Sequence, residues 1–156
     1  MSIDHALGFL STPYESDPLG LDHAYAQALA LTARLTVAQP LAIFSPVVFC
    51  HPIAVEAAKT GGPNPRDRGF WMGYLRPFME RSTFQVVATL PNWERSQGIA
   101  AETGYFERKG LPVFDLDPVT LSMTRRRRLK PPRERIDNRP HEEIEREAAS
   151  FLADRH

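Results

Sequence analysis

The sequence predicts a three-layer α/β sandwich with a four- to five-stranded, mainly parallel sheet and an additional C-terminal helix. Short apolar segments alternate with longer segments whose apolar residues recur at helical spacing, from residue 6 to residue 116. Strands that are separated by a helix usually pair in parallel. The run FQVVATL at 84–90 is almost continuously apolar, which is typical of a strand covered on both faces.

The first half of the chain supplies two strands and one long helix. Ala6–Ser11 is predicted to be the first strand and Leu41–Phe44 the second. Between them, Leu21–Ala38 carries apolar residues at helical spacing and ends just before a proline. The proline-rich segment Ser45–Pro52 is predicted to be a loop, and Ile53–Lys59 one or two helical turns.

The second half repeats the alternation. Thr60–Gly69 is predicted to be a loop, and Phe70–Ser82 a helix that Pro77 breaks or starts. The strand at 84–90 follows, then a helix that begins near Ser96 and ends at Gly110, and then the strand Leu111–Leu116.

After Asp117 the pattern changes. Val119–Met123 is predicted to be an edge strand, and Arg125–Arg133 a basic, proline-containing linker. That linker is either a phosphate or nucleic-acid patch or an exposed segment, and its lack of aromatic residues favours the second. We therefore expect an α/β domain at 1–116, an edge strand and linker at 117–140, and an amphipathic helix at 141–156.

Composition points to one cytoplasmic domain. Nineteen basic and nineteen acidic side chains cancel, so there is no overall attraction to nucleic acid or membrane. Cys50 is the single cysteine, which excludes an internal disulfide and is typical of a reducing compartment. We find no signal peptide, no apolar stretch of about 20 residues that would span a membrane, and no metal-binding spacing or phosphate-binding glycine motif.

The helix after the third strand carries a carboxylate on its inward side. Glu102 shares that side with Ile99 and Phe106, and a buried carboxylate must be paired or face a cleft. Ser96 is the predicted N-cap, and Gly98 allows a ligand to approach the free N–H groups of the first turn. Glu102 is therefore either a structural carboxylate or a catalytic one at the carboxyl edge of the sheet.

Other candidate residues each have two interpretations. His51 either donates a proton to a leaving base or phosphate, or packs within its loop. Trp71 either stacks on a base or belongs to the core or to an interface. Arg66 and Arg68 either close over a phosphate or are solvated. Cys50 has no charged neighbour in sequence, so a small buried hydrophobe is favoured over a nucleophile.

The same helix carries a family signature. It reads SQGIAAETGY from 96 to 105 and is followed by KGLPV at 109–113. This pattern resembles the nucleoside 2-deoxyribosyltransferase superfamily, which includes nucleotide N-glycosidases. The opening FLSTPY at 9–14 is similar to that family's first strand and tyrosine-bearing loop, while FSP at 44–46, HP at 51–52 and NWERS at 92–96 resemble a bacterial and phage branch. The resemblance covers about residues 7–116 and implies a flavodoxin-like or Rossmann-like sandwich.

The resemblance implies a role for each matching residue. Glu102 would attack the anomeric carbon of a ribosyl or deoxyribosyl group and expel the base, with water completing hydrolysis or a second base completing transfer. Tyr14 would orient Glu102 or the sugar. This chemistry needs no metal or organic cofactor, and the family suggests at least a homodimer, with a small nucleoside or nucleotide as the ligand. The implied substrate- or phosphate-binding residues are Ser11, His51, Trp71, Asn92, Ser96 and Gly98.

The sequence departs from the family at one place. The family usually carries aspartates before and at the start of the third strand, whereas residues 75–77 and 81–84 read LRP and RSTF. The chain therefore uses another acid, acts on another substrate, or does not catalyse. We favour hydrolysis of a nucleotide. The alternatives are a non-catalytic nucleotide-binding or regulatory protein and a nicotinamide dinucleotide glycohydrolase.

Overall fold

The computed structural model describes residues 6–39 and 41–127, which form an α/β sandwich around one five-stranded sheet. The order across the sheet is β2-β1-β3-β4-β5, and the first four strands are parallel while β5 is antiparallel to β4. The predicted fold class is confirmed. The strands are β1 (Leu7–Ser11), β2 (Ala42–Phe44), β3 (Phe84–Ala88), β4 (Val113–Leu116) and β5 (Met123–Arg125), and the helices are α1 (Leu21–Ala38), α2 (Pro46–Ala58), α3 (Arg68–Arg81) and α4 (Gln97–Arg108).

Alternating side chains of the central strands fill two cores, one on each face of the sheet. Phe9 of β1 and Val87 of β3 face the layer of α3 and α4, whereas the adjacent Leu10 and Val86 face α1. All four are completely buried. Burial of each large apolar side chain contributes on the order of 2 kcal/mol, so both faces of the central strands stabilise the sandwich.

Gly8 allows β1 to occupy the centre of the sheet. A Cβ atom at this position would lie 2.6 Å from Ile43 Cδ1 and 2.6 Å from Phe84 Cε2. These two side chains come from the strands on either side of β1. A larger residue would therefore push both neighbouring strands away.

Two helices match their predictions closely. α1 has the predicted bounds, and α4 begins after Ser96, whose Oγ accepts a hydrogen bond from the N–H of Ile99 at 3.2 Å. Gly110 follows α4 with φ at 72°, a left-handed conformation that glycine adopts without strain. The predicted buried face of α4 is confirmed and consists of Ile99, Glu102, Thr103 and Phe106.

Two predictions that relied on proline as a helix breaker were wrong. The segment predicted to be a loop at 45–52 instead forms most of α2, with Ser45 as N-cap, Pro46 in the first turn and Pro52 within the helix. Proline suits the first turn, and burial of α2 residues four apart outweighs the cost of about 3 kcal/mol for the internal proline. Likewise, α3 continues through Pro77 and starts earlier than predicted, at Arg68, where the side chain of Asp67 caps it.

The chain after β4 also differs from its prediction. The edge strand is Met123–Arg125 rather than Val119–Met123, because a tight turn occupies the intervening residues. Asp117 Oδ1 accepts hydrogen bonds from the N–H groups of Val119 and Thr120, and these bonds hold the pKa of Asp117 below its usual value. Leu121 in this turn has a left-handed backbone, with φ at 61°.

The basic segment begins as part of the fold rather than as an exposed linker. Arg126 Nε donates to Asp115 Oδ1 at 2.8 Å, and its guanidinium lies 5.1 Å from the centre of the Trp93 ring. The rest of the predicted linker and the predicted helix at 141–156 lie outside the described residues. Among the described helices, none is long and apolar enough to cross a membrane.

Candidate active site

A cavity of about 290 Å³ opens at the carboxyl ends of β1 and β3. From β1 the chain proceeds to β2 on one side, and β3 then pairs with β1 on the other side. The loops after these strands diverge at such a reversal, which is where α/β sheets bind ligands. The walls come from the loop after β1, α2, α3 with the residues before it, and α4 with the residues before it. Six predicted site residues line the cavity, namely Tyr14, His51, Trp71, Ser96, Gly98 and Glu102.

Glu102 supplies a buried carboxyl group to this cavity. Only 7% of the residue is exposed, and burial raises its pKa from 4.5 to about 7, while the hydroxyl of Ser11 acts in the opposite direction. No basic group contributes to the shift. Near neutral pH the side chain is therefore divided between its acid and carboxylate forms, which suits a group that takes part in chemistry.

A buried amide supports the carboxyl group from the sheet. Ser11 does not line the cavity, but its hydroxyl lies beside Glu102 and accepts a hydrogen bond from Gln85 Nε2 at 2.8 Å. Since Gln85 supplies the donor, the Ser11 proton is free to point toward the carboxylate. Gln85 is completely buried and was missed by the sequence analysis, although one amide in the apolar start of β3 was a usable signal.

Another part of the cavity lining presents groups that suit an anion. The N–H groups of Gln97 and Gly98 lie in the first turn of α4, where no earlier helical carbonyl accepts them. Arg68 Nη1 donates to the Gln97 side chain, and its Nη2 lies 3.1 Å from Glu15 Oε2. Arg95 also lines the cavity, although the sequence analysis did not select it. The cavity thus combines the carboxyl group of Glu102 with two guanidinium groups and the free amides of α4, and Glu15, which also lines it, pairs with one of those guanidinium groups.

Gly98 leaves room for a ligand beside the helix. A Cβ atom here would have the Ser96 Oγ, at 3.8 Å, as its nearest neighbour, so the protein itself does not need glycine at this position. Ser96 uses its own Oγ to cap Ile99. Ser96 thus has a structural role, and Gly98 leaves the backbone of the first turn of α4 accessible to a ligand.

Three polar side chains form a row on the other wall. The Tyr14 hydroxyl lies 2.7 Å from His51 Nδ1, and His51 Nε2 lies 3.2 Å from Asp22 Oδ1. The ring of Tyr25 stacks on His51 at 4.6 Å. Burial, aided by the negative charge of Asp22, raises the pKa of Tyr14 to about 12. Tyr14 therefore keeps its proton at neutral pH, and its hydroxyl bonds to His51.

Two further residues line the cavity without an evident reactive role. Burial, with the carboxyl of Glu102, raises the pKa of Cys50 to about 12, so the thiol stays protonated and the prediction that it is not a nucleophile agrees with its surroundings. Trp71 is buried, and its indole N–H donates to the carbonyl of Asn64 at 2.9 Å. Its predicted stacking on a base stays a prediction.

Other predicted residues lie elsewhere. Asn92 does not line this cavity; it has a left-handed backbone at φ 65° and precedes the 3₁₀ turn Trp93–Arg95. Arg66 also lies outside the lining, although its positive charge acts on Tyr14. Across residues 6–39 and 41–127, no group of three or more histidine, cysteine or acidic side chains is placed to hold a metal ion.

Comparison with known families covers the whole candidate site. Residues 7–117 match the family described as a domain of unknown function, DUF1937. The match spans most of the chain, from β1 to the end of β4, and the chain therefore belongs to this family. A search of curated proteins gives no match.

Proposed function

We propose that this member of the DUF1937 family is an N-glycosidase or deoxyribosyltransferase that cleaves the base–sugar bond of a nucleoside or nucleoside monophosphate, with Glu102 as nucleophile. The observation that carries the proposal is the shared position of two groups on α4. A buried carboxyl group and the open N-terminus of the same helix face one cavity. The resemblance of the segment 96–105 to nucleoside deoxyribosyltransferases supports the same assignment.

The spacing along α4 suits a nucleotide sugar. Glu102 lies four residues after Gly98, which corresponds to about 6 Å along the helix axis and to the same helical face. This span is comparable with the distance between the anomeric carbon and the 5′-phosphate of a nucleotide. A phosphate at the first turn of α4, near Arg68 and Arg95, would therefore bring the anomeric carbon toward Glu102.

The chemistry follows from a carboxylate in a sheltered cavity. The ionised oxygen of Glu102 attacks the anomeric carbon, the bond to the base nitrogen breaks, and its electron pair leaves with the base. Water or a second base then attacks the same carbon and releases Glu102. Burial favours this step because a carboxylate that is poorly solvated gains more from the positive charge that develops on the sugar.

The size of the cavity supports a mononucleotide over a dinucleotide. A volume of about 290 Å³ is at the lower end for ligand pockets. A nicotinamide dinucleotide would have to extend well beyond the described walls. We therefore favour hydrolysis of a nucleoside monophosphate among the possible substrates.

The test is chromatographic detection of free base after incubation with nucleosides, nucleoside monophosphates and a nicotinamide dinucleotide. We expect release from the monophosphates, and we expect Glu102→Gln to lower kcat by about 10³-fold or more. Glu107→Gln is the matched control, since Glu107 is exposed on the same helix and does not line this cavity. It should retain the activity of the unmodified protein.

Two outcomes would count against the proposal. Full activity in Glu102→Gln would exclude the proposed nucleophile. No base release from any substrate, combined with a saturable rise in Tm on adding a monophosphate, would instead indicate a nucleotide-binding protein.

A further inference from the structure

We propose that Tyr14, His51 and Asp22 form a proton relay that delivers a proton to the departing base. This inference rests on the proposed glycosidase function and adds to it the residues that supply the acid. Tyr14 would be the catalytic acid that touches the base, while His51 and Asp22 would act through it as positioning residues. The assignment starts from a continuous row of hydrogen-bonding atoms between the cavity and the protein surface.

The row has one consistent direction of donation. When His51 is neutral, its Nε2–H donates to Asp22 Oδ1 at 3.2 Å, and its Nδ1 accepts the Tyr14 hydroxyl proton at 2.7 Å. When His51 carries a second proton, its Nδ1–H donates to the Tyr14 oxygen, and the Tyr14 proton turns into the cavity. Asp22 accepts the Nε2–H bond in both states, so the ring keeps its orientation while the proton on Nδ1 moves.

Position and surroundings favour this row over the other cavity groups as the acid. The departing nitrogen must gain a proton, because a nucleobase anion is a poor leaving group. Arg68 is held by Gln97 and Glu15, and arginine does not give up its proton in proteins. The Cys50 thiol lies on α2 beside His51, and among the described residues it has no hydrogen-bond partner that could return a proton to it. Tyr14, which lines the cavity, is then the donor with a partner that can recharge it.

The two ends of the row differ in exposure. His51 is buried, with 7% of its side chain exposed, whereas the Asp22 side chain is 98% exposed. The groups that face His51 are Tyr14 from the loop after β1 and Asp22 and Tyr25 from α1, with the neighbouring Cys50 on its own helix. Asp22 therefore holds the Nε2–H of His51 from the solvent side, while Nδ1 exchanges its proton with Tyr14 at the cavity.

The proton balance closes over one catalytic cycle. In the first step Tyr14 gives its proton to the base nitrogen and takes one from His51 Nδ1, which leaves a neutral imidazole, a neutral base and a glycosyl ester on Glu102. In the second step water attacks the anomeric carbon, and its proton passes to Tyr14 while the Tyr14 proton passes to His51. The ester bond breaks, Glu102 leaves as a carboxylate, and His51 is again protonated.

The test compares two substrates that differ in their need for an acid. One is the nucleoside monophosphate that the wild-type protein hydrolyses, and the other is a 4-nitrophenyl ribofuranoside 5-phosphate, whose leaving group departs without a proton. The comparison uses kcat/KM, which reports the steps up to departure of the leaving group and not the later attack by water. We expect Tyr14→Phe and His51→Gln to lower kcat/KM on the nucleotide by about 10² to 10⁴-fold and on the nitrophenyl substrate by less than about tenfold. Asp22→Asn should show the same selectivity with a smaller loss of about tenfold.

His23→Gln is the matched control. His23 is also a histidine paired with an aspartate, with its Nδ1 2.8 Å from Asp17 Oδ2, but it does not line the cavity. It should affect neither substrate. Tyr14→Phe removes a single oxygen atom, so it keeps the test valid if His51→Gln does not fold. Equal losses on both substrates would overturn the relay and leave the glycosidase intact. A folded wild-type protein that cleaves neither substrate would overturn both.

Discussion

The two walls of the cavity differ in whether their buried polar groups have hydrogen-bonding or charged partners. On the α4 wall, Glu102 is buried without a basic partner, and its pKa rises to about 7. On the α2 wall, His51 is equally buried but has a hydrogen-bonding group at each ring nitrogen, Tyr14 and Asp22. The α4 wall therefore holds a carboxyl group whose ionisation is unfavourable, and the α2 wall holds an imidazole ring with a hydrogen-bond partner at both nitrogens.

The difference indicates which group was placed at the expense of stability. A raised carboxyl pKa means that folding disfavours the carboxylate, so the ionised form of Glu102 destabilises the native state. Pairing at His51 has no such cost. Burial of a carboxyl group without a basic partner is typical of a group that the protein uses for chemistry.

The largest effect that we expect from this difference between the walls is a gain in stability when Glu102 is replaced. Below pH 4.5 both folded and unfolded chains carry the proton, so Glu102 has no cost. As pH rises from 4.5 to about 7, the unfolded chain ionises first and the free energy of unfolding falls, by on the order of 3 kcal/mol in total. Glu102→Gln should remove this fall, and at pH 8 it should be more stable than wild type by urea unfolding.

The comparison fails if Glu102→Gln destabilises the protein at pH 8, because the carboxylate would then be a satisfied structural group. The exposed Glu107→Gln variant should follow the wild-type pH dependence throughout.

A smaller effect is expected from the hydroxyl that supports Glu102. Ser11 lowers the pKa of Glu102, so Ser11→Ala should raise that pKa and move the acidic limb of the kcat/KM profile to higher pH. The variant should also lose about 1 to 3 kcal/mol of stability, because Gln85 Nε2 would be left buried without its acceptor.

Ser82→Ala provides the control for Ser11→Ala. Ser82 is also buried, but its Oγ donates to the carbonyl of Phe78, away from the cavity. It should lower stability without moving the pH profile. A profile that stays in place in Ser11→Ala would separate Ser11 from the ionisation of Glu102.

The smallest effect on stability is expected at Gly98. A methyl group at this position would clash with no protein atom. Gly98→Ala should therefore fold normally, and its free energy of unfolding should rise by up to about 1 kcal/mol because alanine has the higher helix propensity. If the first turn of α4 receives a phosphate, the same methyl group should raise KM for the monophosphate by about tenfold. Gly73→Ala, at an exposed position of α3 with nothing within 4 Å of its Cβ, should give the gain in stability without the change in KM.

The α4 wall could be predicted from the sequence because its determinants are local. A cap at Ser96, a stop at Gly110 and apolar residues three or four apart around Glu102 fix the helix and its buried face within fifteen residues. The central strands were equally clear, because each is a short apolar run between turn-forming residues.

The α2 wall could not be predicted because its determinants are distant in sequence. Pro46 and Pro52 indicated a loop, and only packing against the rest of the fold shows why a helix forms there. Asp22 is an ordinary first-turn acid of α1 until α2 brings His51 beside it. Similarly, the role of Gln85 could not be predicted, because its partner Ser11 comes into reach only when β1 and β3 pair.

The central place of β1 has a consequence for the order in which the molecule assembles. Ser11 and Gln85, whose side chains form a hydrogen bond across the central pair of strands, are 74 residues apart. Pairing of distant strands closes a long loop before it gains any contact, which slows folding. During synthesis, β1, α1 and β2 leave the ribosome well before β3 and α4 exist. The pocket can form only after α4 has been made, and until then the Phe9 side of β1 lacks the cover that α4 provides.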